Sequence, residues 1–306
     1  DNTFGVEGCD VDDGLALLYL LGCEEAQLHG ITATYGNSRL ETVYETVCGM
    51  LADLSRSDIP VKRGGSRPGQ YDSEAADYLA GMADRYPGEL SVLATGSLTN
   101  LQGAYVRDPR FFEKVKEIVL MGGITSPLVF PGNVMKELNF SCDPHASCNV
   151  LKYGRRLSVI TGNNCLNVLF TKDEYKRELF TRNEPIAAYI RERTDYWFGY
   201  NKEDYGIEGF YNWDVTAAVY LMHPELFRDC RDRFDFSEED LRDGYLRKDE
   251  KGRWQCNLPQ IREEQAFKRN IYDTWMKVEM REYGQNKRTQ GICGEPAVQR
   301  GDGDSG

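Results

Sequence analysis

The segment "CDVDDGLALLYL" (9 to 20) places Asp10, Asp12 and Asp13 within four positions and then runs directly into an apolar, helix-forming stretch. A single carboxylate there would serve as a helix cap and complement the helix dipole. Three, with Asp1 a short glycine-containing loop upstream, repel one another unless a cation holds them. Hard cations such as calcium take about 6 to 8 oxygen ligands from carboxylates and carbonyls together, so a metal site is the better physical account. The spacing is not that of an EF-hand, which needs alternating acids, a glycine and a terminal Glu.

Further polar residues stand at the ends of short apolar runs. "HGITATYG" (29 to 36), "IPVKRG" (59 to 64), "LSVLATGS" (90 to 97), "EIVLMGG" (117 to 123) and "LSVITGN" (157 to 163) read as strands. Helical patterns fall between them at 12 to 22, 38 to 54, 73 to 86, 98 to 107 and 143 to 153. This alternation predicts an α/β fold with an open, mostly parallel central sheet and helices on both faces. Ligands of such sheets bind beyond the carboxyl ends of the strands, where "TYGN", "ATGS" and "MGG" converge.

After residue 170 the pattern turns helical and aromatic, densest over 187 to 214, which reads either as a lid over a flat ligand or as a packed helical cap. Residues 231 to 270 are strongly charged and read as a solvated surface excursion. The expected organisation is one domain over 1 to 285 with a cap at 171 to 213. The glycine-rich 286 to 306 reads as a disordered tail.

Composition bounds the function. With 37 Lys plus Arg against 49 Asp plus Glu, the net charge of −12 disfavours nucleic acid and anionic membranes as partners. No apolar run reaches membrane-spanning length and no signal peptide is seen, so a cytoplasmic location is expected. Nine scattered cysteines without a CxxC pair suggest neither a disulfide framework nor a zinc site, and are expected to be reduced thiols.

The first two motifs together resemble the amino-terminal signature of the inosine-uridine preferring nucleoside hydrolase family, in a variant with a longer opening Asp loop. "LATGSLTNL" (93 to 101), "IVLMGG" (118 to 123), "ELNFSCDP" (137 to 144) and "NWDVTAAVYL" (212 to 221) are similar to later family segments, in order. The resemblance implies hydrolysis of the N-glycosidic bond of ribonucleosides to base and ribose, with calcium (Ca2+) as cofactor. It also implies a homodimer or homotetramer. The implied calcium ligands are Asp13, Asp214, the carbonyl of Thr95 and an Asp of the opening loop, Asp1. Asp1 is the first choice for the base that deprotonates the attacking water, and Asp10 the second. Asp12 would take a ribose hydroxyl, and Asn37, Asn133, Glu137 and Asn139 would complete the sugar clamp. Met121 would touch the sugar, unless it is simply a core methionine.

The sequence departs from the family pattern in three places. The opening loop is longer, which leaves Asp1 and Asp10 as alternatives for the base. The family has a hydrophobic strand and another Asp ahead of Asp1, so the sequence is expected to be incomplete at that end. Many relatives carry a His before the late Asp, where this chain has Trp213, and His29, His145 and His223 all read as structural. An aromatic ring that stacks the departing base would take over that role, with Trp213, Trp197, Tyr205 and Tyr211 as candidates. Two other readings stand beside this one: a haloacid dehalogenase-like phosphatase, from "DNT" as the end of its nucleophile motif, and a catalytically impaired nucleoside-binding protein.

Overall fold

The computed structural model describes residues 1 to 280. The expected disordered tail at 286 to 306 lies outside them. All five expected strands form, in shorter versions: Ile31–Ala33, Val61–Arg63, Ser91–Ala94, Glu117–Met121 and Leu157–Ile160. The five expected helices also form, as Asp12–Gly22, Leu40–Asp53, Glu74–Arg85, Thr99–Arg107 and Pro144–Tyr153.

Ser91–Ala94, Glu117–Met121, Leu157–Ile160 and Trp254–Asn257 lie side by side and parallel, and Arg231–Asp235 and Arg247–Lys248 continue the sheet antiparallel. Ile31–Ala33 pairs in parallel with Val61–Arg63 as a separate two-stranded sheet. The central strand Glu117–Met121 is apolar at successive positions, with Ile118, Val119 and Leu120 fully buried, as expected where helices cover both faces.

The expectation of a solvated excursion over 231 to 270 is corrected. Arg231–Asp235 and Trp254–Asn257 extend the central sheet, and Phe234, Phe236, Leu241, Leu246, Cys256 and Leu258 are buried in its second core. In Arg231–Asp235 the charged Arg231 and Arg233 are exposed while Phe234 is buried, so the charge lies on the side away from the core.

Two helices set up the site. Asp12–Gly22 is buried nearly all round, from Leu15 to Tyr19, and it packs between Trp213–Met222 and Glu264–Trp275. The Trp275 indole Nε1 donates to the Leu15 carbonyl at 3.0 Å. Trp213–Met222 is equally apolar, with Val215, Ala217, Ala218 and Val219 fully buried. A helix without a polar face has to sit in a core, and these two therefore bring their acidic first turns inside the molecule.

The aromatic region after residue 170 forms the long helix Pro185–Tyr205, which Gly206 ends in the left-handed conformation at φ 69°. Trp197 and Phe198 are buried in the main core. The hairpin Leu128–Val129 and Val134–Met135 leans on the end of this helix, where the Gly132 amide donates to the Tyr205 carbonyl at 2.9 Å.

Cysteines 23, 48, 142, 148, 165, 230 and 256 are free thiols. Cys9 is disulfide-bonded, which corrects the expectation of reduced thiols throughout. Among the described residues no helix is long and apolar enough to cross a membrane.

Candidate functional site

The helices Asp12–Gly22 and Trp213–Met222 begin side by side, and their first turns carry Asp12, Asp13 and Asp214. A carboxylate oxygen from each of the three lies within 4.8 Å of the others. Relative exposures are 2% for Asp12, 7% for Asp13 and 4% for Asp214. The two helix amino termini supply partial positive charge, and one contact locks them together: the Asp214 amide donates to Asp12 Oδ2 at 2.9 Å.

Asp13 is tied from several directions. Thr95 Oγ1 donates to its Oδ1 at 2.8 Å, the Asp1 amine at 3.1 Å, and Asn37 Nδ2 donates to its Oδ2 at 3.4 Å. Asp1 lies alongside, its Oδ2 accepting from the Asn37 amide at 2.8 Å. Its other oxygen, Oδ1, is buried without a hydrogen-bond partner. Gly36 and Gly96 line this pocket for want of a side chain: a Cβ on Gly36 would fall 1.6 Å from Asp1 Oδ2, and one on Gly96 3.0 Å from the Asp1 nitrogen. Asn37 follows the strand Ile31–Ala33 and Thr95 follows Ser91–Ala94, so both stand beyond the carboxyl ends of parallel strands.

The pocket is strongly acidic, and the Asp1 amine offsets part of the charge at Asp13. Burial, followed by the charges of Asp10 and Asp13, pushes the Asp12 carboxyl well above the usual range. Burial, followed by Asp12 and Asp13, does the same to Asp214. Burial also raises Asp10, to about 6. Among the described residues no lysine or arginine forms an ion pair with Asp12, Asp13 or Asp214. Three converging hard oxygen donors, a fourth carboxylate with an unpartnered oxygen, and no cationic side chain fit a hard divalent cation.

The remaining expected residues divide. Met121 ends the central strand, and Asn139 Nδ2 donates to its carbonyl at 3.1 Å and to its sulfur at 3.3 Å. Glu137 accepts from the backbone amides of Gly123, Phe140 and Ser141 at 3.0, 2.8 and 2.9 Å, so it holds the loop after that strand in shape. Asn133 is exposed at the hairpin, with Oδ1 on the amide of Val134 at 2.8 Å. Asp10 is half-buried, its Oδ1 accepting from the Val11 amide at 2.7 Å, and is not part of the three-carboxylate cluster. Trp213 starts its helix beside Asp214 and packs against Tyr211 with ring centroids 5.0 Å apart, while Phe130 of the hairpin lies 5.9 Å from Tyr211 and 6.1 Å from Tyr205. Trp197 stacks on Tyr200 at 4.7 Å.

The histidines all have structural contacts: His29 stacks on Tyr86, His145 meets Glu238 and Asn149, and His223 meets Glu225. Asn212 escaped the sequence reading. It precedes the helix Trp213–Met222 as an ordinary cap residue would, yet its side chain caps nothing.

The sequence model of the inosine-uridine preferring nucleoside hydrolases matches residues 8 to 269. The chain belongs to this family. It is 26% identical over 247 residues to a probable uridine nucleosidase 1 of Oryza sativa subsp. japonica, a match covering 71% of this chain and 75% of that protein. Among solved structures, a plant nucleoside hydrolase, the PpNRh1 enzyme, superposes with a TM-score of 0.78 at 21% identity, covering 87% of this chain and 95% of that one. A purine-preferring ribonucleoside hydrolase from Gardnerella vaginalis has a TM-score of 0.77 at 21% identity, with coverage of 87% and 95%. Both share the α/β fold described above. The match leaves the phosphatase alternative without support and gives the acidic pocket its family context.

Proposed function

We propose that the chain hydrolyses the N-glycosidic bond of ribonucleosides at the pocket between the two helix starts, with calcium held by Asp13, Asp214, the Thr95 carbonyl and Asp1. Ribonucleoside hydrolysis is the activity of the family to which the chain belongs. The observation that carries the metal is the convergence of Asp12, Asp13 and Asp214, all buried, within 4.8 Å. When bound, calcium polarises a water and orients the ribose hydroxyls.

The chain's own groups do the rest. Asp1, with Oδ1 unpartnered, takes the proton of the attacking water, and Asp10 is the second choice for this role. Asp12 accepts a ribose hydroxyl. Asn37, Asn133, Glu137 and Asn139 offer the donors and acceptors that a sugar requires, and Met121 lies against its apolar side. As the bond to the base breaks, positive charge grows at the sugar, and buried carboxylates fixed in advance by helix ends stabilise it. Trp213 takes the face of the base in place of an imidazole acid. A homodimeric or homotetrameric assembly and a cytoplasmic location belong to the same reading.

The test incubates the chain and its Asp13→Ala variant with inosine, uridine, cytidine and guanosine and measures base and ribose separately. The wild type should release the two in equal amounts, and the variant should be slower by ~100-fold or more. Base release that Asp13→Ala leaves untouched would refute the assignment of the site.

A further inference from the structure

Asn212 carries a side-chain amide with no partner at either end. The residue is 2% exposed, and neither Oδ1 nor Nδ2 meets a hydrogen-bonding group. Buried polar groups are nearly always paired, so an amide stranded in this way calls for a specific reason.

One of the two backbone donors that a cap residue could use is already taken. An Asn before a helix normally turns its oxygen to an amide of the second or third helical residue. Here the amide of the second residue, Asp214, is given to Asp12 Oδ2 at 2.9 Å, and Asn212 makes no capping bond. Its backbone carbonyl still does its share, accepting from the Thr216 amide at 3.0 Å and Thr216 Oγ1 at 2.7 Å. The side chain alone is left without a partner. It stands in sequence between Tyr211 and Trp213, whose rings pack 5.0 Å apart. Asp12 and Asp214 are as deeply covered as Asn212, and Asn212 stands two positions ahead of Asp214 at the start of the same helix.

We propose that Asn212 is a base-specificity residue: its amide binds the polar edge of the nucleobase whose face the neighbouring rings take. The proposal rests on the nucleoside hydrolase reading of this pocket. A primary amide offers an acceptor and a donor in one plane, and the edges of nucleobases present adjoining donors and acceptors at matching spacing.

The experiment compares wild type, Asn212→Leu and Asn212→Asp in calcium, using inosine, adenosine, uridine, cytidine and 4-nitrophenyl riboside, which carries a sugar but no base edge. For Asn212→Leu the ratio of nucleoside to nitrophenyl riboside kcat/KM should fall by about ten- to a hundredfold. For Asn212→Asp, whose carboxylate only accepts, the preference should move from inosine and uridine toward adenosine and cytidine, which present amino groups. The Tm of Asn212→Leu should hold or rise, because an amide without a partner in the protein contributes nothing to folding. An equal loss on nucleosides and nitrophenyl riboside, or a fall in Tm with an unchanged ratio, overturns the assignment in favour of a sugar or structural role. If the wild type hydrolyses no nucleoside, the hydrolase reading fails separately. Calorimetric binding of inosine and uridine then decides the Asn212 assignment, which requires Asn212→Leu to weaken both.

Discussion

Replacing Asp214 by Asn should stabilise the cation-free protein and abolish its response to calcium. The Asn keeps the shape of the side chain and the backbone amide that holds Asp12, but it removes one of three mutually repelling buried charges. At an effective dielectric of ~20, two unit charges separated by the 4.8 Å that bounds the cluster repel by ~3.5 kcal/mol. Burial and neighbouring charge disfavour the ionised form of the Asp12 and Asp214 carboxyls, which reduces the repulsion that the substitution can relieve. The relief should therefore be ~1–3 kcal/mol, a rise in Tm of about 2–5 °C in chelator for a chain of this size. Calcium at a hundred times its Kd would stabilise the wild type by ~2.7 kcal/mol, and the variant by little. Thermal unfolding of both proteins, in chelator and across a calcium titration, should show the order of stability reverse. A variant less stable than wild type in chelator, or one that gains as much from calcium, would refute the view of the cluster as a cation site strained by its own charge.

Trp213→Ala should raise KM for nucleosides through loss of stacking worth ~1–3 kcal/mol, more for purines than for pyrimidines because of their larger faces; steady-state kinetics on inosine and uridine checks this. Gly36→Ala would press a methyl against Asp1, where an added Cβ meets Oδ2 at 1.6 Å, and should lower kcat by ~100-fold through misplacement while the circular dichroism spectrum is kept. An undiminished kcat would show that Asp1 takes no part in the chemistry. Lys268→Met should cost ~3–5 kcal/mol in urea unfolding, because the buried ammonium holds Glu174 at 2.7 Å, Glu264 at 2.8 Å and the Leu169 carbonyl at 2.6 Å, and its loss leaves the largely covered Glu174 with only the Tyr272 hydroxyl.

The parallel half of the fold was legible because its strands are short apolar runs that end in Gly, Asn or Thr, and its helices carry a clear period. The strands were read one to three residues too long at their carboxyl ends, since most of "TYGN" and "ATGS" belongs to the loops that form the pocket. The segment 231 to 270 was misread because its charge density hid its apolar positions: Phe234 and Phe236 are buried on either side of Asp235. The acidic cluster was visible as spacing within 10 to 13, but its junction with Asp214 spans about two hundred residues and needed the family resemblance. Asn212 carried no sequence signal. Its amide is without a partner in the fold, and Asp12, from a distant part of the chain, holds one of the two backbone donors that it could have capped. Glu137 looked like a sugar ligand by motif, and the structure adds a second duty, the three backbone amides it gathers.

The central claim is that a divalent cation at Asp13 and Asp214 drives ribose release from nucleosides. Its most direct measurement is ribose release from inosine and uridine by one preparation of the chain, first stripped with chelator and then titrated with calcium. The account predicts that release falls to background on stripping and returns in full with calcium, saturating as the thermal stability does. Release that persists unchanged in chelator would contradict it.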